Sequence, residues 1–280
     1  MAIHDVSCIG RCSLTVVLPL LSAAGISAAV VPTAVLSTHT GGFTGFTYRD
    51  LSDDLLPIAR HWKSLGLSFD ALYSGYLAST EQIGIIAGIF DMFKTDDNMI
   101  LIDPVMGDNG KLYSAYTPDM AGEMIKLCAK ADMIVPNLTE AALLTGEEYT
   151  DIYDRASIER RLKKLSLTGA KTVVITGVSF DEGKIGAAGY DANTGEYHYS
   201  FCERVPDIFH GTGDIFASTL LSARLAGFSI GRAIKAAVDF TYRCIILSEE
   251  LKQEKRYGVC FERALPYMAE LLSLPDAAED

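Results

Sequence analysis

The sequence predicts a three-layer α/β/α sandwich built on one central, mostly parallel sheet. Three features carry that expectation. Short apolar runs recur at intervals of about thirty to forty residues, each followed by a longer helical pattern, as strand-plus-crossover-helix units require. The runs are continuously apolar, not alternating, which suits strands covered on both faces. Polar or glycine-containing signatures then stand just past the ends of four of them, where open α/β sheets form their ligand crevice.

Taken in order, Ile3–Ile9 reads as the first strand. The next 21 charge-free residues, Val16 to Leu36, are long enough on count alone to span a bilayer. Pro19, Gly25 and Pro32 interrupt them, so the segment divides into a helix (Ser13 to Ala24) and a buried strand (Ala28–Val35). Further strands are expected at Ala71–Ser74, Met99–Ile102, Met133–Val135 and Thr172–Ile175. Helices are expected at Leu51–Leu65, Glu81–Phe93, Pro118–Ala129, Thr139–Thr145, Ile158–Leu165, Asp214–Leu225 and Ile230–Leu247. Residues 183–202, rich in Gly and Tyr, suggest a small β-hairpin flap. The charge run Glu249–Arg256 and the acidic stretch 276–280 read as solvated surface.

Composition narrows the function classes. With 24 basic against 36 acidic side chains the net charge is −12, the opposite of a nucleic-acid footprint. The six cysteines form no CxxC pair and read as buried free thiols of a reducing compartment. A metal clip from Cys8 and Cys12 finds no partners at zinc spacing. Residues 1–12 carry Asp5 and lack a signal peptide's basic start, so a cytoplasmic, membrane-free location is expected.

The sharpest motif is His210-Gly211-Thr212-Gly213-Asp214 at the start of a helix. Glycines allow close backbone approach, and first-turn amides with the positive end of the helix dipole make an anion site. A carboxylate beside a bound phosphate is repulsive unless it works as a general base, taking a proton from an attacking alcohol. The alternative is an aspartate that caps an ordinary core helix. Asp103, Asp108, Asn137 and Glu140 form a second set, hard oxygen donors suited to Mg²⁺ and nucleotide phosphates. Asn137 and Glu140 could equally cap the helix from Thr139. The third region, Ser37 to Phe46, brings hydroxyls, His39 and two aromatics on a glycine-rich backbone, which suits a flat, hydroxyl-bearing heteroaromatic ligand. His39 there reads either as a ligand group or as a structural histidine. There is no GxxxxGK[ST], GxGxxG after the first strand, HExxH or GxSxG, so Walker-type, nicotinamide, zinc-protease and α/β-hydrolase chemistries lose ground.

Through these residues the chain resembles the pyridoxal kinases of the ribokinase-like superfamily over nearly its whole length. The carriers are Ser37–Gly41 (STHTG), Ser74–Leu77 (SGYL), Asp103–Asp108 (DPVMGD), Pro136–Ala141 (PNLTEA) and Gly211–Asp214 (GTGD). The resemblance implies one ribokinase-like kinase domain over 1–280 that transfers phosphate from ATP to the 5′-hydroxymethyl group of pyridoxal, pyridoxamine or pyridoxine. It implies Asp214 as base and Gly211, Thr212 and Gly213 as anion hole. Asp103, Asp108, Asn137, Glu140, Thr176 and Thr212 fall on the ATP side, with Asp103 and Glu140 toward Mg²⁺, partly through water. Thr40 and Tyr76 match ring-contacting positions, joined on the substrate side by His39 and Ser7. Where the family opens with a serine segment, this chain has His4-Asp5-Val6-Ser7, and Asp5 is expected to face the ring nitrogen or phenol. A homodimer and a K⁺ requirement are further family expectations. The alternatives are a hydroxymethylpyrimidine (phosphate) kinase, against which Asp214 leans because some members there carry Cys, and a non-catalytic vitamin-binding protein.

Overall fold

The computed structural model describes residues 1–113, 116–207 and 209–273. Its strands are β1 (Ala2–Ser7), β2 (Val30–Leu36), β3 (Tyr48–Asp50), β4 (Ala71–Ser74), β5 (Met99–Ile102), β6 (Gly107–Asp108), β7 (Lys111–Leu112), β8 (Met133–Ile134), β9 (Thr172–Val178), β10 (Lys184–Asp191) and β11 (Glu196–Glu203). Its α-helices are α1 (Leu14–Ala23), α2 (Ser52–Ser64), α3 (Thr80–Phe93), α4 (Pro118–Cys128), α5 (Leu138–Thr145), α6 (Arg155–Ser166), α7 (Thr212–Leu225), α8 (Ile230–Glu250) and α9 (Leu265–Ser273).

One nine-stranded sheet runs in the order β11-β10-β9-β8-β5-β4-β1-β2-β3. From β9 to β2 every pairing is parallel, and β3 and the β10–β11 hairpin close the two edges antiparallel. All four residues of β4 are buried, and the β5 side chains Ile100, Leu101 and Ile102 are fully covered. Burial on both faces is why these strands show no alternation in the sequence. One face packs on α2 to α6 through side chains such as Leu55, Ile86, Phe90 and Leu162. The other packs on α1, α7, α8 and α9 through Leu20, Leu220, Phe240 and Met268. The charge-free stretch is therefore α1 followed by β2, both core elements; among the described residues no helix is long and apolar enough to cross a membrane.

Elements expected from the sequence lie within a few residues of their places. The hairpin at 183–202 does not stand apart as a flap, because β10 pairs with β9 and extends the main sheet. The separate small hairpin is β6–β7. Short β3, exposed at all its positions, and α9 were not legible, since neither offers an apolar run of useful length. Only three cysteines are buried; Cys8 is exposed, and Cys12 and Cys202 are half-buried. The 249–256 run is mostly exposed, as expected; within it Lys255 pairs with Asp207 and Glu249, and Arg256 lies over the rings of Phe43 and Tyr257. The acidic stretch 276–280 lies outside the described residues.

Strand order reverses at β1, which has β4 on one side and β2 on the other. That switch point is where neighbouring connections part to opposite faces and leave a crevice above the carboxyl ends.

Candidate active site

A cleft of about 1310 Å³ lies along this edge. That exceeds a typical single small-molecule pocket and leaves room for two substrates. Every site residue expected from the sequence lines it, including Asp5, Ser7, Thr176 and Gly211–Asp214. Besides the four strand-end signatures, β1 contributes Asp5 and Ser7 and β2 the loop that follows it, as expected.

Helix α7 starts from Gly211, whose φ of 81° puts it in the left-handed region. A Cβ there would lie 2.0 Å from the Arg11 carbonyl oxygen, so only glycine fits. The first amide of α7 bonded within the helix is that of Ile215, to the Gly211 carbonyl. The amides of 212–214 thus have no helical partner and face the cleft at the positive end of the dipole. Asp214 does not cap this helix. Its Oδ2 instead accepts the backbone N–H of Ser13 at 2.8 Å. Burial raises its carboxyl to about 7, against the lowering effect of the Ser13 amide, and the Asp5 charge adds to the rise.

Ser13 links Asp5 to Asp214. Its hydroxyl donates to Asp5 Oδ1 at 2.5 Å, and Ser7 Oγ donates to Asp5 Oδ2 at 3.0 Å. Asp5 is only 4% exposed, and desolvation pushes its carboxyl up despite both hydroxyls. Tyr76, just past β4, feels the Asp5 charge, and Thr40 on the loop after β2 lines the same cleft. His39 has both ring nitrogens engaged: Nδ1 accepts the Gly41 amide at 3.1 Å, so Nε2 carries the proton and donates to the Arg256 carbonyl at 2.7 Å. It therefore pins two loops together and offers the cleft no free ring nitrogen, as the structural of its two sequence readings expects. Phe43 packs edge-on against it at 5.0 Å.

Asn137 and Glu140 do form a capping box on α5. Glu140 Oε1 also accepts the Met106 amide at 3.0 Å, and Asn137 Nδ2 donates to the Gly107 carbonyl at 2.8 Å. Capping thus locks the DPVMGD loop against α5, as the helix-cap reading of this pair expects. Asp103 is 6% exposed and is held up by burial and by the charges of Glu140 and Asp214. Glu140 is also raised, first by burial. Asp108 is exposed and bonds the Asn109 amide at 2.9 Å; Thr176 sits beside Asn137 across a parallel bridge. Among the described residues no ion pair neutralises Asp103, Glu140 or Asp214. Buried carboxylates without counter-ions are costly, and a hard divalent cation with oxygen ligands relieves that cost. Among the described residues no three acidic, histidine or cysteine groups cluster closely enough to hold a metal by themselves. Asp103 and Glu140 thus offer only a partial oxygen donor set, of the kind Mg²⁺ completes with water and phosphate.

Ser13, Cys12, Lys111 and the α8 residues Val238, Thr241 and Ile245 also line the cleft and were not foreseen. Ser13 and Cys12 follow a Gly-Arg pair with no motif signature, and the α8 residues look like ordinary core positions.

Comparison with known proteins agrees with this architecture. A crystal structure from Bacteroides thetaiotaomicron, assigned as a phosphomethylpyrimidine kinase and solved in an orthorhombic form with pyridoxal, superimposes with a TM-score of 0.92 at 35% identity, covering 99% of this chain and 96% of that one. Pyridoxal kinase from Lactobacillus plantarum gives 0.89 at 31% identity, covering 96% of each chain. A pyridoxine/pyridoxal/pyridoxamine kinase from Bordetella avium is 28% identical over 84% of this chain and 80% of its own length. A hydroxymethylpyrimidine/phosphomethylpyrimidine kinase from Aquifex aeolicus is 30% identical over 67% and 69%. Against relatives from Schizosaccharomyces pombe and Dictyostelium discoideum the match spans 58% of their length. The phosphomethylpyrimidine kinase family profile matches residues 18–259, and the chain belongs to that family, on the ribokinase-like fold of the pyridoxal kinases.

Proposed function

We propose that the protein is an ATP-dependent kinase of the vitamin B6 alcohols, phosphorylating the 5′-hydroxymethyl group of pyridoxal, pyridoxamine or pyridoxine. The observation that carries this reading is Asp214, set between unpaired helix amides on one side and the Asp5–Tyr76 end of the cleft on the other. A carboxyl raised to about 7 holds its proton with an affinity suited to general-base work near neutrality.

In this mechanism Asp214 takes the hydroxyl proton as the substrate oxygen forms its bond to the γ-phosphorus. The bond from that phosphorus to the β,γ-bridging oxygen breaks and ADP leaves. The amides of 212 and 213 face the charge that spreads over the transferring group. Asp103 and Glu140, partly through water, are the residues that would hold Mg²⁺, which neutralises phosphate charge when bound. Asp108, Asn137 and Thr176 flank the phosphates, and Val238, Thr241 and Ile245 of α8 wall the nucleoside. A homodimer and a K⁺ requirement rest on the family likeness alone, and a cytoplasmic location on the sequence pattern.

Asp5, which accepts hydrogen bonds from Ser7 and Ser13, shares the cleft with Thr40 and Tyr76 and supplies a carboxyl for the polar edge of a ring substrate; Lys111 and Arg204 also line the cleft. Hydroxymethylpyrimidine, neutral and ring-shaped, remains the second reading, supported by the Aquifex relative. The test is ADP release with Mg-ATP and a panel of pyridoxal, pyridoxamine, pyridoxine, hydroxymethylpyrimidine and its phosphate. The proposal expects a B6 vitamer to give the highest kcat/KM; preference for the pyrimidine phosphate overturns it.

A further inference from the structure

Ser13 stands immediately before α1, where a serine ordinarily turns its hydroxyl back onto the first-turn amides. Here it makes no such cap. Its backbone takes φ 55° and ψ −136°, a conformation that side chains other than glycine's rarely adopt. That unusual turn aims two groups into the cleft. The N–H points to Asp214 Oδ2 at 2.8 Å, and the hydroxyl points to Asp5 Oδ1 at 2.5 Å. The segment before it is pinned from several sides. The Arg11 amide donates to the Tyr257 carbonyl at 2.8 Å, Thr15 Oγ1 donates to the Cys12 carbonyl at 2.8 Å, and the Arg11 carbonyl fills the space a Gly211 side chain would need.

We infer that Ser13 is a positioning residue that ties the ring-recognising carboxylate Asp5 to the base Asp214, so that one side chain and its own amide set both. The inference rests on the reading of Asp214 as base and Asp5 as the ring-side group. The physical reason is over-determination. A strained backbone persists only when its surroundings hold it, and the Asp5 hydrogen bond is one of the holds. Without the hydroxyl, a residue with a Cβ relaxes toward an ordinary helix N-terminus and withdraws its amide from Asp214. Glycine adopts the same backbone freely, so it loses the hydroxyl yet keeps the amide in place.

Two substitutions therefore separate the two jobs. Ser13→Gly is expected to raise the KM for the vitamin about tenfold, with kcat within about threefold of wild type and the KM for ATP unchanged. Ser13→Ala is expected to raise the same KM and also lower kcat by at least about tenfold. In an Asp5→Ala background the Ser13→Gly effect on the vitamin KM should vanish, because the hydroxyl acts only through Asp5. A purely structural serine would not show that cancellation. Thermal melts of each variant report whether folding is intact, and Ser13→Gly, which relieves strain, keeps the test available if the alanine variant folds poorly. Equal kcat losses in Ser13→Gly and Ser13→Ala, a wild-type vitamin KM in Ser13→Gly, or an undiminished effect in the Asp5→Ala background would each overturn the inference. Asp214→Ala is the companion control: if it turns over like the wild type, the reading of the base has failed, whereas its inactivity beside unperturbed Ser13 variants condemns the Ser13 role alone.

Discussion

Replacing Asp214 by Asn removes a buried negative charge while leaving an oxygen to accept the Ser13 amide, so it separates catalytic need from structural cost. Burial raises the carboxyl from 3.8 to about 7, which corresponds to a ceiling of about 4 kcal/mol at 1.36 kcal/mol per pK unit. Asp214 is partly open to the cleft, so solvent screening brings the expected value to about 1–3 kcal/mol. The folded state binds this proton more tightly than the unfolded chain. Wild-type stability from this group is therefore greatest below about pH 4, falls as pH rises to about 7, and is level above. Asp214→Asn escapes that loss. Its melting temperature should match the wild type near pH 4 and exceed it by about 2–5 °C at pH 8, taking about 2.1 cal/mol/K of unfolding entropy per residue over 280 residues. The measurement is a series of thermal melts in a chelator, without nucleotide or vitamin. The same variant should lose about 10²- to 10⁴-fold in kcat. A melting difference that does not widen with pH, or a variant less stable at pH 8, would show that Asp214 is not the desolvated, charge-crowded group described above.

Other perturbations probe the remaining parts. Gly211→Ala places a Cβ 2.0 Å from the Arg11 carbonyl at a φ of 81°, and should cost about 2–4 kcal/mol by denaturant titration; a cost under about 1 kcal/mol would contradict this contact. Asp5→Asn should reorder kcat/KM among pyridoxal, pyridoxamine and pyridoxine, and an unchanged ranking would remove Asp5 from ring recognition. Asp103→Asn should raise the Mg²⁺ concentration for half-maximal rate by about 10- to 100-fold while leaving the vitamin KM near its wild-type value. His39→Ala should raise the vitamin KM more than the ATP KM, because it unpins the Gly41 amide and the Arg256 carbonyl together; equal changes in both would place its effect elsewhere.

The cleft residues were legible where local grammar and chemistry coincide. DPVMGD, PNLTEA and GTGD each follow a buried strand or open a helix, and a parallel sheet necessarily collects such sites at one edge. His39 was legible as important but not in kind, since a histidine's role depends on what its two nitrogens meet. Here they meet Gly41 and an arginine carbonyl 217 residues away. Ser13 gave no signal, because its function lies in a backbone conformation and in partners on β1 and α7.

Sequence alone determined the alternation of strand and helix, the covered character of the sheet and the identities of the carboxylates, because these follow from hydrophobic pattern and residue chemistry. Tertiary structure alone decided which carboxylate is bonded to what, that the 183–202 hairpin extends the main sheet, and that Ser13 joins Asp5 to Asp214. Those outcomes depend on contacts between segments as far as 201 residues apart, and the free energy of such a contact exists only once the sheet has brought both segments to the same edge.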